Sequence, residues 1–182
     1  RSRRQRQMCI RDSSDIPSQP VTSDVMMELA GKDLTPYFPV PLHAGCPGLV
    51  TDPSLELSQH QNLTAEIPQA IHKSGAAQTY DKTKLKNENW YFHTFLPRMK
   101  PYRKGYYVYD RKSIRSESSW RKWAIVHHRI YDLSNYVYSQ ERHPADDKYS
   151  FLPNDLVDLF DAQAGEDISS DFDAFMDSLP SN

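Results

Sequence analysis

Several residues in this 182-residue chain are of types that could do chemistry: His127-His128, the carboxylate pairs Asp146-Asp147 and Asp171/Asp173, the two cysteines, and Asn62-Leu63-Thr64. Adjacent histidines invite a metal. Neighbours on a strand point to opposite faces and cannot close on one ion, so the pair reads as ordinary hairpin residues. Paired carboxylates could hold a cation or serve as acid and base. Asp146-Asp147 falls in a polar loop and Asp171/Asp173 on a helix face opposite the apolar residues, so both read as solvated charge. Cys9 lies in a leader set aside below, and Cys46 alone makes neither a disulfide framework nor a zinc site. Asn62-Leu63-Thr64 is a sequon, which makes Asn62 a glycosylation candidate if this segment faces a secretory lumen or the outside. No catalytic residue and no metal ligand emerges.

A second kind of chemistry is binding. Trp90 to Tyr102 is dense in aromatics and bases, a mixture that could stack on and neutralise nucleic acid. The favoured reading buries the rings as an apron on the following domain and leaves Arg98, Lys100, Arg103 and Lys104 in solvent with only their stems packed. Charge is segregated although the net value is only −2: Lys82 to Arg129 is mostly basic, and Pro144 to Asn182 is acidic apart from Lys148. The asymmetry suits either an anionic lipid surface or acidic partner protein, or else pairing of the two blocks within the fold.

The elements that must position these residues are short. Trp123-Ala124-Ile125-Val126 and Ile130-Tyr131 flank a His-His-Arg turn as a hairpin, and Ser134 is placed to cap a helix starting at Asn135. Gln140 to Ser150 reads as loop. Pro153 then opens a helix to about Ala164 with Leu156, Leu159 and Phe160 on one face, and a second helix sets Ile168, Phe172, Phe175, Met176 and Leu179 at similar spacing. These stripes read as core.

An internal repeat punctuates the pattern. Asp24, Ala30-Gly31-Lys32-Asp33-Leu34-Thr35 and Phe38 align without a gap on Asp158, Ala164-Gly165-Glu166-Asp167-Ile168-Ser169 and Phe172. In each copy the Gly is expected to end one helix in the left-handed conformation, and the Asp or Ser/Thr to cap the next. Only the tail of the first copy is present, so the chain is expected to be a piece of a longer one. Residues 36 to 86 hold much of the chain's 13 Pro and show no sustained period, which reads as a long linker. Arg1 to Ser13 carries an Arg-rich run and reads as a non-native leader. The longest apolar run in the patterned region, Trp123 to Val126, is far below the ~20 residues a bilayer span needs.

The run Trp-x-φ-φ, Tyr-Asp-Leu-Ser, a helix, a loop, and Asp-Leu-Phe-x-x-x-Ala-Gly-x-Asp-φ-Ser resembles the cytochrome b5 fold over Ser119 to Leu179, with a partial copy over Val21 to Phe38. That resemblance implies haem held by two histidines. His143-Pro144 matches the first ligand loop, but Ala145-Asp146 stand where glycines belong and Asp177 stands near the second ligand position, so haem is not expected. The wider context is similar to fungal chitin synthases of the large class with a myosin-like motor. It rests on Gly31-Lys32-Asp33-Leu34-Thr35-x-Tyr37-Phe38-Pro39, Cys46-Pro47-Gly48-Leu49-Val50, Lys84-Leu85-x-Asn87-x-Asn89-Trp90-Tyr91, Phe95-Leu96-Pro97-x-Met99-Lys100 and Gly105 to Tyr109. The resemblance implies a membrane-bound glycosyltransferase of plasma membrane or secretory vesicles, building cell-wall polymer from UDP-N-acetylglucosamine with a divalent metal. It places the metal and the chemistry outside this segment, since Trp120-Arg121-Lys122-Trp123 is not the product-side motif of such enzymes.

The expectation is an α+β chain: a leader over 1–13, the tail of a first cytochrome-b5-like module over 14–40, a Pro-rich linker over 41–86, and a second module with its apron over 87–182. Its expected role is accessory or regulatory, with no cofactor and no nucleic acid. Its expected partners are the rest of the synthase and an anionic membrane surface or regulatory protein. Haem electron transfer through His143 and nucleic-acid binding are the competing functions.

Overall fold

The computed structural model describes residues 30–60, 71–76, 87 and 89–180. The leader, the upstream part of the first repeat, the remainder of the linker and the sequon at Asn62 lie outside the described residues. Within them the architecture is α+β, with six short helices and one two-stranded sheet.

Strand β1 (Trp123–Val126) pairs antiparallel with β2 (Arg129–Asp132), and Val126 lies opposite Arg129. His127 and His128 are therefore the whole turn, with φ of 46° and 64°. A two-residue hairpin needs positive φ at both central positions to match the strand twist, and His tolerates that region better than most residues. This corrects the reason given above against a shared metal: the histidines sit on the turn, not on a strand. Their surroundings differ instead, because the His127 N–H donates to the Ser169 hydroxyl at 2.9 Å and its ring lies 2.9 Å from Asp173 Oδ1.

β1 is buried at all four positions and β2 is mostly exposed. The cause is a third partner. The turn after the Pro153 helix runs along the free edge of β1: the Gly165 N–H donates to Trp123 O at 2.7 Å, Ile125 to Glu166 O at 2.9 Å and Ile168 to Ile125 O at 2.9 Å. Period-two alternation then feeds two cores. Ala124 and Val126 pack with Phe160 and Ile168, while Trp123 and Ile125 pack with Ile114 and Tyr109.

Helix α1 (Leu42–Gly45) and helix α2 (Leu96–Met99) come before the hairpin, as does α3 (Arg111–Glu117), capped by Asp110 accepting the Lys112 N–H. After it come α4 (Ser134–Arg142), α5 (Asn154–Ala162) and α6 (Ser169–Ser178). Ser134 does not cap α4. It is the first residue of the helix, after Leu133 at the cap with no side-chain hydrogen bond; Asp132 accepts both the Ser134 N–H at 2.9 Å and its hydroxyl at 2.6 Å, and the Ser134 oxygen in turn accepts the Lys122 N–H. Asp167 holds Ser169 in the same way at the start of α6. Along α6 only the first turn is core. Ile168 is fully buried and Phe172 packs beside Phe160, but Met176 and Leu179, expected inside, are exposed.

Two further segments differ from expectation. The described part of the stretch read as linker carries core: Leu42, Val50, Leu55 and Leu57 pack with Tyr136 of α4 and with Tyr149. Leu55–Leu57 hydrogen-bonds alongside His72–Ser74, and the Ser58 N–H reaches Ser139 Oγ on α4. The apron is a single rod: a π-helical turn at Tyr91–Phe95, then α2, then a tight turn at Lys100–Tyr102. Pro97 cannot donate to the preceding turn and crowds its carbonyls, which is the ordinary reason for a widened turn just before it. The rings of this rod pack backwards in sequence. Phe95 lies 5.1 Å from Phe38, and the Tyr91 hydroxyl donates to Phe38 O at 3.0 Å.

Candidate functional site

Of the residues singled out for chemistry, only His127 and Asp173 are brought together among the described residues. Asp146 caps the short turn Asp147–Tyr149 by accepting the Lys148 N–H, and its carboxylate lies 3.3 Å from Lys148 Nζ. Asp171 accepts from the Gln163 amide at 2.7 Å, and Asp173 faces His127. Asp146, Asp171 and Asp173 thus each serve a local partner. Among the described residues no group of three or more His, Cys, Asp or Glu could hold a metal ion. Cys46 is half-buried, and burial pushes its thiol above the usual range, away from the thiolate a nucleophile needs.

His143 ends α4 with its ring flat on Tyr149, centroids 4.3 Å apart and planes within 12°. Asp177 is exposed on α6. A stacked imidazole at His143 and a carboxylate, not an imidazole, at the expected second ligand position do not fit bis-histidine haem ligation.

An apolar hollow of about 240 Å³ lies between the first repeat tail and the rod, walled by Phe38, Pro41, Ile71, Trp90, Tyr91 and Phe95. Its charged lining residue, Lys73, pairs with Glu56 at 2.6 Å. The hollow could take a ring or an aliphatic chain; its walls hold no acid–base pair.

Charge is where the surface becomes informative. The basic block divides in two. Its downstream half is largely paired: Arg111 with Asp167 at 3.1 Å, Arg115 with Glu166 at 2.6 Å, Lys122 with Asp161, and Arg121 with Glu117 and Asp132, leaving Lys112 and Arg129 in no ion pair among the described residues. Its upstream half is not: Arg98, Lys100, Arg103 and Lys104 are exposed and in no ion pair among the described residues. Interleaved with them are exposed apolar groups. Tyr106 is 73%, Tyr107 56% and Val108 85% accessible, and Phe92 and Leu96 each 40%. The Arg103 guanidinium sits 4.0 Å over the Tyr106 ring, and its hydrogen bond and charge lower the Tyr106 hydroxyl pKa.

Arg121 carries more of the fold than its sequence context indicated. It is buried, donates to Asp132 at 2.6 Å and to Glu117 at 3.1 Å, and lies 3.6 Å over the Trp123 ring. The signal available was the i,i+4 spacing of Glu117 and Arg121. The across-hairpin partner Asp132 had none.

These elements define a small α+β module whose acids are used structurally and whose distinctive surface is basic and aromatic. Over about nine tenths of its length the chain is homologous to a segment of fungal chitin synthases. It is 48% identical over 165 residues to Chitin synthase 6 of Mycosarcoma maydis, covering 91% of the chain and 14% of that protein. Chitin synthase 4 of Cryptococcus neoformans is 43% identical over 173 residues, covering 91% and 14%. Chitin synthase csmB of Aspergillus niger is 40% identical over 159 residues, covering 86% and 9%. The chain therefore spans a small part of the relatives it matches. No family model and no solved structure matches it. Among the described residues no helix is long and apolar enough to cross a membrane.

Proposed function

We propose that the chain is a non-catalytic accessory or regulatory region of a membrane-bound chitin synthase, a glycosyltransferase that polymerises N-acetylglucosamine from UDP-N-acetylglucosamine for the fungal cell wall. The observation that carries this reading is the homology to chitin synthases together with the local employment of three of the four paired acids: Asp146 on Lys148, Asp171 on Gln163, Asp173 on His127. A sugar polymerase needs free acids converging on a metal and diphosphate, and these three do not converge. Within the region we read Ser119 to Leu179 as a cytochrome-b5-like module without haem. The order of hairpin, helix, loop and two helices joined through Gly165 supports it.

Deleting Trp120 to Leu179 from the full-length parent tests the role, with enzyme at the membrane and polymer per enzyme molecule measured separately. The expected result is a loss of amount, placement or regulation, with no sugar transfer by the isolated chain. Turnover abolished at normal abundance by Asp146→Asn or Asp173→Asn would overturn it. Haemin added to the chain should give no stable low-spin spectrum; a bis-histidine-type spectrum lost in His143→Ala would restore the haem reading.

A further inference from the structure

We propose that the strip from Phe92 to Val108 is a membrane-surface contact, docking this module on the headgroups of an anionic bilayer. This goes beyond the accessory role and does not depend on it, since it concerns a surface of the chain itself. The first argument is charge. Arg111, Arg115 and Lys122 downstream are paired with the acidic block, yet Arg98, Lys100, Arg103 and Lys104 are left to solvent. The carboxylates beside the strip, Asp33 on Tyr109 and the Thr35 N–H and Asp110 capping α3, keep their charge but are outnumbered by these four bases. Net positive potential therefore faces outward, where a polybasic cluster gains from anionic lipid.

The second argument is the kind of apolar group exposed. The rod presents two apolar faces. Tyr91 and Phe95 close on Phe38, while Phe92 and Leu96, one turn apart, point to solvent. After the rod, Tyr106, Tyr107 and Val108 stand exposed on a stretch outside any helix or strand. Aromatic and aliphatic groups flanked by long basic side chains are the composition that settles at the headgroup–acyl boundary, rings inserted and cations snorkelling. Leu96 and Val108 offer nothing to stack on a base, so a nucleic acid would leave part of the surface unused.

The test is co-sedimentation of the full 182-residue chain with vesicles of phosphatidylcholine alone or mixed with phosphatidylserine, at low and high salt. Binding is expected to the mixed vesicles only, weakening with salt. Replacing Arg98, Lys100, Arg103 and Lys104 by Gln should weaken it by about fivefold per cation, and Phe92→Ser with Leu96→Ser should weaken it at unchanged charge. All six positions are exposed, so an unchanged circular dichroism spectrum is expected, and a second pair, Tyr107→Ser with Val108→Ser, repeats the apolar arm away from the rod. Binding that survives these changes but is lost when Arg1, Arg3, Arg4, Arg6 and Arg11 are replaced would overturn the proposal. So would tighter retention on single-stranded nucleic acid or on an acidic protein than on the mixed vesicles. So would glycosylation of Asn62 in the parent, because it would put the module on the lumenal side, away from the anionic leaflet.

Discussion

The two copies of Ala-Gly-x-Asp-φ-Ser/Thr-x-x-Phe have the same backbone and different fates. Gly31 and Gly165 adopt φ of 80° and 85°. Asp33 accepts the Thr35 N–H at 2.9 Å and Asp167 the Ser169 N–H at 3.3 Å; the Phe38 N–H reaches Leu34 O, and Phe172 reaches Ile168 O. Even the second carboxylate oxygens turn to one segment, Asp33 to Tyr109 and Asp167 to Arg111. Burial and the Asp33 charge push the Tyr109 hydroxyl up to about 12, so it remains a donor to Asp33 at any ordinary pH. The copies part company beyond the turn. The second lines the edge of β1 and buries Ile168 completely, while the first leaves Phe38 38% accessible against the rod. A short phrase can thus specify a turn by its own hydrogen bonds; whether that turn becomes core depends on what the rest of the chain brings to it.

The largest effect should come from breaking that difference in the core. Phe160 and Ile168 have no room to relax against β1, so Phe160→Ala should cost about 3–5 kcal/mol and Ile168→Ala about 2–5 kcal/mol. Phe38→Ala, on the half-open partner, should cost only about 1 kcal/mol. Chemical denaturation of the three variants measures this. Equal losses at Phe38 and Phe160 would mean that the copies are equally packed.

The two glycines separate conformation from space. Both need the left-handed region, so alanine at either is expected to cost about 1 kcal/mol in backbone strain. At Gly31 a Cβ meets nothing within 4 Å, whereas at Gly165 it would lie 2.9 Å from Ser118 Cβ and 3.1 Å from Arg115 Cα. Gly165→Ala should therefore cost at least about 2 kcal/mol and Gly31→Ala about half that. Thermal melts of the two variants give the ratio directly.

What could be read from the residues divides along the same line. The hairpin, the helix from Pro153, the left-handed glycines and the Asp-to-Ser turns are set by neighbours a few positions apart, and they stood in the sequence. Three features were not legible there. The packing of Leu42, Val50, Leu55 and Leu57 onto Tyr136 joins residues far apart in a stretch whose prolines mask any period. The rod passes through Pro97 and Pro101, which local rules treat as breaks, because its ring face is held by Phe38. Ser134 sits inside α4 rather than at its cap, its hydroxyl held by Asp132 while its oxygen accepts the Lys122 N–H across the hairpin. The basic strip was legible as composition. That its cations lack acidic partners while Arg111, Arg115, Arg121 and Lys122 have them is a property of the fold alone.

The smallest effect concerns the acid that the second copy uses at its turn. The Ser169 hydroxyl and N–H, with Arg111 beyond them, hold the Asp167 carboxyl below its usual range. A depressed folded pKa means that the carboxylate contributes stability above the unfolded value, about 4, and loses that contribution as pH falls through the lower folded value. Acid unfolding of the chain should therefore steepen below about pH 4, and Asp167→Asn should flatten that limb by slightly lowering stability at neutral pH, the two proteins converging in acid. Asp52, held low by Ser54 through the same pair of hydrogen bonds but outside either copy, is the control. If Asp52→Asn flattens the limb and Asp167→Asn does not, the Asx turn is a generic device of this chain, and the second copy owes its place to β1 rather than to its carboxylate.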